Sequence, residues 1–346
     1  MKRSILDKLA QDYHFSESAI ALALDLTGSR PDGPAWFAFV LRLLNAAGVG
    51  ALSAGAVFFV AANWQHYGVI GRFLILQTAF LICVGIAWWR APPHPIGQAA
   101  LILATLLIGA LLALFGQSYQ TGADVYELFF AWAALALPFA LAGRSGAAWA
   151  LWWCILNVAL ALYCGWLGQG DFIWLWLDRW GINRPVLLLL PCIVNLGAAG
   201  LFLYLGKSQN VNAAPLWLVR MLATFGFLYG TAASIAAVMT VGFWSSGNQS
   251  MTGQNLFVVA GFAAICTVIA VATLHSKKDV LPMALIAGSW IAISSAFLIS
   301  HIKLYDIGGF FVIAMWLVAT STVASFILMK WVLSWHIDDE TPEAPA

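Results

Sequence analysis

Polar side chains that could bind a solute are concentrated in one short stretch of this chain. The stretch contains two amides, a tyrosine and two acids, namely Gln117, Tyr119, Gln120, Asp124 and Glu127. Carboxylate and amide groups bind cations and hydrogen-bonding solutes, and within a membrane they are costly enough to mark functional sites. Asn63, His66 and His301 fall on the same side of the membrane in the topology predicted below. The sequence therefore predicts a polar vestibule that binds a substrate.

The two acids also have a structural interpretation. An Asp at the N-cap with a Glu three residues later satisfies free amides at a helix start, and both charges suit the positive end of the helix dipole. Asp124 and Glu127 have this spacing in front of an apolar run, and Asp306 can cap a later helix in the same way. The pattern leaves capping and ligand binding open for these acids.

Two arginines, Arg42 and Arg220, lie inside apolar segments, each within about two helical turns of one end. From that depth a guanidinium can extend along its aliphatic stem to the lipid headgroups. If the same side chains face the interior of a helix bundle, they are expected to bind an anion or a headgroup. Asn45 lies near Arg42 on the same helical face and can share that role.

No spacing in the sequence is diagnostic of a catalytic or metal centre. A metal site built from His66, His301 and Asp124 would lack any ligand pair at a recognised separation. The chain has five cysteines, all within apolar segments, where they are typical of small packing residues. We predict no metal and no cofactor, and the sequence favours a protein that is not an enzyme.

The elements that must position these side chains are apolar segments about twenty residues long. Hydrophobic residues make up 62% of the chain and charged residues 9%, which is far from the mixture of a soluble domain. Such a segment predicts a membrane-spanning helix, because backbone groups in hydrocarbon must be satisfied within the helix. We predict an all-α bundle of ten spans, at residues 35–62, 72–90, 97–116, 125–142, 147–167, 185–205, 215–243, 255–275, 280–299 and 307–335.

The even number of spans places both termini on one side of the membrane. Lys and Arg are more frequent in the segments on that side, for example Arg90, Lys277 and Lys278, than on the other. The positive-inside rule then predicts that both termini are cytoplasmic. A net charge of +1 argues against a nucleic-acid partner.

Three segments outside the spans have recognisable patterns. The N-terminal tail is predicted to form two short amphipathic helices, the second capped by Ser16, and a Trp-rich segment is predicted to lie flat in the outer interface. The predicted organisation is a tail at 1–34, spans one to five at 35–167, the interfacial segment at 168–184, spans six to ten at 185–335 and an acidic tail at 336–346.

Two short motifs resemble a known family. The first span ends in AANW at residues 61–64, and the polar stretch reads GQSYQTGAD at residues 116–124. Together with the helical tail, they resemble the bacterial membrane-protein family catalogued as domain of unknown function 2157 (DUF2157), over roughly the first 165 residues. The resemblance implies a multi-span protein of the bacterial inner membrane without an established activity. Because its relatives tend to occur beside a membrane-anchored protein, it also implies a separate protein partner.

A second pattern relates the two halves of the chain. An aspartate followed by a tryptophan recurs in spans four and ten, as Asp124 with Trp132 and Asp306 with Trp316. An arginine recurs likewise in spans one and seven. Each matched pair enters the membrane from the same side, so the pattern predicts a parallel repeat of spans 1–4 and 7–10. In transporters such repeats often place the binding site at their interface.

Three functions are compatible with these features. A solute- or lipid-handling protein of transporter type is favoured by the many spans, the repeat and the polar residues near both membrane surfaces. The alternative is a non-catalytic accessory or scaffold subunit of an envelope complex, in contact with membrane lipid and a membrane-anchored partner. An intramembrane enzyme for lipid-linked substrates is the third, and it would need a convergent cluster of acids or histidines. The sequence leaves the oligomeric state open.

Overall fold

The structure is a computed structural model that describes residues 16–26, 33–62, 66–120, 122, 124–165, 184–207, 215–239, 253–276, 279–302 and 307–338. All regular secondary structure in these residues is helical. In chain order the helices are α1 (Glu17–Leu26), α2 (Gly33–Ala62), α3 (Val69–Trp89), α4 (Pro95–Tyr119), α5 (Val125–Gly143), α6 (Gly146–Tyr163), α7 (Arg184–Leu187), α8 (Leu189–Lys207), α9 (Leu216–Met239), α10 (Gly253–Ser276), α11 (Leu281–His301) and α12 (Ile307–Asp338).

Nine helices within the described ranges are long and apolar enough to cross a membrane. One of them, Pro185–Leu205, combines α7 with most of α8, and the others are α3 to α6 and α9 to α12. They correspond to nine of the predicted spans, which confirms the all-α bundle. The remaining predicted span, 35–62, coincides with the 30-residue helix α2. Ten membrane crossings stay a prediction.

The chain divides into two compact units, Met1–Leu74 (unit 1) and Ile75–Ala346 (unit 2), and the boundary falls within α3. In unit 1 the Ser16 hydroxyl accepts a hydrogen bond from Ala19 N at 3.3 Å, so Ser16 caps α1 as predicted. Three predicted segments lie wholly or largely outside the described residues: the first helix of the tail, the Trp-rich segment at 168–184, and the acidic tail beyond residue 338.

Helix α9 is the centre of unit 2, and it packs against α6, α7, α8, α10 and α11. Its sequence contains Gly226 and Gly230 one turn apart, a spacing that predicts close approach of a neighbouring helix. Leu196 of α8 lies over Gly226, and the ring of Phe262 from α10 lies over Gly230. Both Phe262 and its ring neighbour Phe227 are buried. The glycine pair therefore serves packing within the chain, as the sequence predicts.

Indole side chains join consecutive helices in the first part of unit 2. Trp132 of α5 donates its Nε1–H to the carbonyl of Thr105 in α4 at 2.7 Å. Trp152 of α6 donates to the carbonyl of Ala133 in α5 at 2.8 Å. The absence of a side chain at Gly109 leaves the space that the Trp132 ring occupies. These contacts fix the relative positions of α4, α5 and α6.

The two tryptophans of the predicted repeat each contact a neighbouring helix. Each tryptophan donates an indole hydrogen bond to the helix that precedes its own, but Trp132 lies 8 residues after Asp124 and Trp316 lies 10 residues after Asp306, so the two rings are not equivalent when the aspartates are aligned. The acceptors are the Thr105 carbonyl and, at 3.3 Å, the Ser294 hydroxyl in α11. Because span one belongs to unit 1 and spans seven to ten belong to unit 2, the repeat of four helices stays a prediction.

The substitution Trp132→Phe is expected to lower stability by about 1 kcal/mol, because it removes one partly buried hydrogen bond between α4 and α5. The midpoint of thermal unfolding in detergent measures this effect. Trp88→Phe is the matched control, since Trp88 is 88% exposed and the change there is expected to be neutral. Equal shifts for the two variants would show that the indole bond does not stabilise the helix pair.

Candidate functional site

The short connection between α4 and α5 brings five of the predicted site residues together. Helix α4 ends at Tyr119, Gln120 follows with a left-handed φ of 44°, and α5 begins after Asp124. The side chains that this turn presents on the surface of unit 2 are all exposed: Gln117, Tyr119, Gln120, Asp124 and Glu127. We call these five residues the α4–α5 polar set.

Asp124 occupies the N-cap position of α5, with φ −66° and ψ 150°. Its backbone carbonyl accepts the amide of Glu127 at 3.0 Å, whereas its carboxylate makes no capping hydrogen bond. Glu127 lies in the first turn, where its charge suits the helix dipole. The carboxylate of Asp124 is therefore not used in the cap interaction that its position would allow.

Aromatic rings pack against one another next to the polar set. The ring of Tyr126 in α5 lies 5.7 Å from that of Tyr163 at the end of α6, and Phe130 lies 5.9 Å from the same Tyr163 ring. On the α4 side, the rings of Phe115 and Tyr119 are 4.9 Å apart. Aromatic contacts of this kind stabilise helix ends because they bury apolar surface and because the rings adopt favourable relative orientations. The polar set thus lies beside ring contacts at the ends of α4, α5 and α6.

The other predicted site residues are placed elsewhere. His66 is exposed in a turn between α2 and α3, within unit 1, and Asn63 lies outside the described residues. Arg42 belongs to α2, and its side chain is outside the described part of the structure. His301 ends α11, where its Nδ1 lies 2.9 Å from both the Ser300 hydroxyl and the Phe297 carbonyl. His301 therefore has local partners at a helix end.

Arg220 has a partner that sequence reasoning missed. Its Nε and one terminal nitrogen donate to the two carboxylate oxygens of Asp279 at 3.0 and 3.1 Å. Asp279 also accepts the backbone amide of Leu281 at 3.2 Å, at the start of α11. The pair joins α9 to the start of α11, so the Arg220 guanidinium binds a carboxylate of the protein itself. The sequence does place Asp279 just before an apolar segment, but no nearby residue indicates that Arg220, 59 residues earlier, is its partner.

Replacing Asp279 with alanine is expected to cost about 0.5–1 kcal/mol, the range for a partly exposed pair with good geometry. The side chains of Arg220 and Asp279 are 45% and 24% exposed, so added salt should reduce the effect by screening. Thermal unfolding at low and high ionic strength measures it. Arg220→Lys keeps the charge but loses the two-pronged geometry, and it should fall between wild type and Asp279→Ala. A salt-independent loss would contradict an ionic role.

A buried amide pair lies between α6, α8 and α9. Asn157 Nδ2 donates to Asn195 Oδ1 at 3.0 Å, and Asn195 Nδ2 donates back to Asn157 Oδ1 at 2.8 Å. Each Nδ2 also donates to a backbone carbonyl of its own helix, Trp153 O and Pro191 O. The Tyr229 hydroxyl donates to the Asn157 carbonyl at 2.9 Å. Every donor and acceptor group of the two side-chain amides is therefore satisfied within the bundle.

Next to this amide pair, Pro191 removes a backbone hydrogen bond of the helix, and a side chain replaces it. Pro191 lacks an N–H, so the carbonyl of Leu187 four residues earlier loses its helical donor. The thiol of Cys164 lies 3.7 Å from that carbonyl and supplies a weak donor from the end of α6. The break between α7 and α8 lies at this point. A proline inside an apolar segment predicts a kink whose freed carbonyl is satisfied by a residue nearby in the chain. Here the donor comes from another helix instead.

Among the described residues, no group of three or more His, Cys, Asp or Glu side chains is arranged to hold a metal ion. The five cysteines are free thiols, and four of them are buried. Their positions agree with the packing role that the sequence predicts.

The long apolar helices define a multi-pass membrane protein. Residues 3–149 match the family model described as a predicted membrane protein (DUF2157). The match confirms the resemblance over the region that carries the α4–α5 polar set, and it spans less than half of the chain. No curated protein and no solved structure matches the chain.

Proposed function

We propose that this chain is a non-catalytic accessory subunit of an envelope complex in the bacterial inner membrane, where it scaffolds a membrane-anchored protein. The observation that carries the proposal is the use of the buried polar side chains in unit 2. Asn157 and Asn195 satisfy each other and two backbone carbonyls. A solute carrier needs buried polar groups that exchange partners with its cargo, whereas these amides join helices.

The hydroxyl groups near α9 support the same interpretation. Thr231 of α9 donates to the Ser289 hydroxyl of α11 at 2.7 Å. Ser234, which is fully buried, donates to the Gly230 carbonyl at 2.9 Å. Hydrogen bonds between and within helices replace contacts that water would otherwise make. A bundle whose helices are joined by internal hydrogen bonds favours the function of a scaffold.

The α4–α5 polar set is the proposed contact surface for the partner. Its side chains are exposed, and they lie within the region that matches the family. The resemblance implies a separate membrane-anchored protein, and exposed amide, phenol and carboxylate groups offer donors and acceptors to such a partner. The other helices of unit 2 then hold the α4–α5 polar set in place.

Affinity purification in native-lipid nanodiscs followed by native mass spectrometry tests the proposal. We expect a stoichiometric protein partner with wild type, and a loss of that partner when Gln117→Ala and Asp124→Asn are combined. Arg144→Gln, at the opposite end of α5, is the matched control and should keep the partner. Absence of any stoichiometric partner from wild type would overturn the accessory function.

A solute- or lipid-handling protein is the second candidate, favoured by the exposure of Asp124 and Glu127 at one end of the bundle. In this function the α4–α5 polar set would be the entrance to a substrate site. The same mass spectra would then contain a retained small molecule that disappears in Asp124→Asn. Retention of a protein partner without such a molecule favours the scaffold.

Both termini are proposed to be cytoplasmic, and fusions to reporter proteins test this topology. A C-terminal green fluorescent protein is expected to fluoresce, and alkaline phosphatase at the same position should be inactive because it folds only outside the cytoplasm. Phosphatase inserted after Gly122, between α4 and α5, should be active. The reverse pattern would invert the predicted orientation.

A further inference from the structure

An apolar groove of about 510 Å³ lies between α11 and α12. Met283 and Ala287 line it from α11, and Trp316, Ala324 and Leu328 line it from α12. Both helices are long and apolar enough to span a membrane. Two of its lining residues, Val323 and Ile327, are 57% and 59% exposed, so the groove is open on the outer surface of these two apolar helices.

The two ends of the groove differ. Near one end Trp316 donates its indole N–H to the Ser294 hydroxyl at 3.3 Å, which holds the ring across the space between the helices. At the other end lie Met283 in the first turn of α11 and Leu328 in the last third of α12. The distance from Trp316 to Leu328 along α12 is about 18 Å at the helical rise. This length suits an extended hydrocarbon chain.

The lining offers nothing to a polar ligand. Thr320 is its one hydroxyl residue, and that hydroxyl donates to the Trp316 carbonyl at 2.7 Å. Apolar grooves select ligands by buried area, because an unpaired polar group of the ligand would lose its hydration without replacement. The occupant must therefore present hydrocarbon to these residues.

A positive charge lies beyond the open end of the groove. Lys330 is exposed, and it follows Ile327 by three residues and Val323 by seven, so it shares the groove face of α12. A lysine at this depth can extend its ammonium group to the headgroup region. A phosphate there would meet the cation while its attached chain enters the groove.

We propose that this groove binds one acyl chain of an anionic phospholipid, with Lys330 at the headgroup phosphate. The apolar lining between two spans and the cation on the same face select this occupant over a polar solute. The bound lipid fills the space between α11 and α12, where α12 packs on its single extensively contacted neighbour among the described helices. It thereby completes the packing of the last span.

Native mass spectrometry from nanodiscs with equal amounts of phosphatidylglycerol and phosphatidylethanolamine tests the proposal. Wild type is expected to retain one phosphatidylglycerol in preference to phosphatidylethanolamine. Ala324→Phe and Ala319→Phe each place a ring in the groove, and the retained lipid should be lost in either variant. Ser325→Phe is the matched control, because Ser325 is exposed on the opposite face of α12 and does not line the groove, and it should retain the lipid.

The charge is tested separately by Lys330→Gln, which is expected to reduce phosphatidylglycerol retention roughly fivefold, in keeping with one cation near anionic lipid. Lys330→Arg should preserve retention. Equal retention by all variants would overturn the proposal, as would loss of lipid in Ser325→Phe to the same extent as in Ala324→Phe. The proposal would also be overturned if a segment of protein, and not a lipid, occupied the groove. None of these outcomes depends on the envelope partner, so the accessory function is tested independently.

Discussion

Gly230→Ala is expected to destabilise unit 2 by about 1–3 kcal/mol, because the added methyl group overlaps the ring of Phe262. That ring is fully buried and packs edge-to-face on Phe227 at a centroid distance of 6.0 Å. The added carbon would also lie 3.0 Å from Cys192 Sγ. The ring therefore cannot move aside without disturbing α8 or α9. Thermal unfolding in detergent measures the loss.

Gly261→Ala is the matched control for this substitution. Gly261 precedes Phe262 on α10, and a methyl group added there has no heavy atom within 4 Å, so we expect a neutral or slightly stabilising effect. The double variant Gly230→Ala with Phe262→Leu should be less destabilised than the sum of the two single changes. Additive losses would mean that overlap with the ring is not the cause.

Asn195→Leu is expected to lower stability by about 1–3 kcal/mol, because it leaves the Asn157 amide buried without its partner. Asn195 is fully buried and Asn157 is 4% exposed, so water cannot replace the lost hydrogen bonds. Leucine has a similar volume, which limits the contribution of packing changes. The unfolding free energy in mixed detergent micelles is the appropriate measurement.

The double variant Asn157→Leu with Asn195→Leu distinguishes a specific amide pair from general packing. Since replacement of both partners removes the unpaired group, it should recover part of the stability lost in either single variant. The bond from Tyr229 is made to the backbone carbonyl of Asn157 and is expected to persist. A double variant as unstable as the sum of the single ones would contradict the paired arrangement.

Among the described residues, the largest cluster of buried hydrophobic side chains in unit 2 lies beyond the residues that match the family. The core around α9 includes Cys192, Phe227, Phe262 and Ile293, all after residue 149, where the family match ends. The exposed α4–α5 polar set lies inside the matched region. We therefore expect substitutions in the polar set to affect binding, whereas substitutions around α9 affect folding.

The spans could be predicted because their signal is local. A membrane helix must satisfy its own backbone in hydrocarbon, so length and apolar composition suffice to identify it. The Ser16 cap and the Gly226–Gly230 spacing were also predictable, because each depends on residues within one turn. Asp124 at the start of α5 belongs to the same group, although its carboxylate makes no capping bond.

The contacts between helices depended on the tertiary structure. Asn157 and Asn195 are 38 residues apart, and Arg220 and Asp279 are 59 apart. In a helix that is apolar on every side, no stripe distinguishes the face that meets protein from the face that meets lipid. The composition of this chain therefore determined that its helices enter a membrane. Only the packing decided which polar groups are paired, which glycine contacts an aromatic ring, and where an apolar groove lies between two helices.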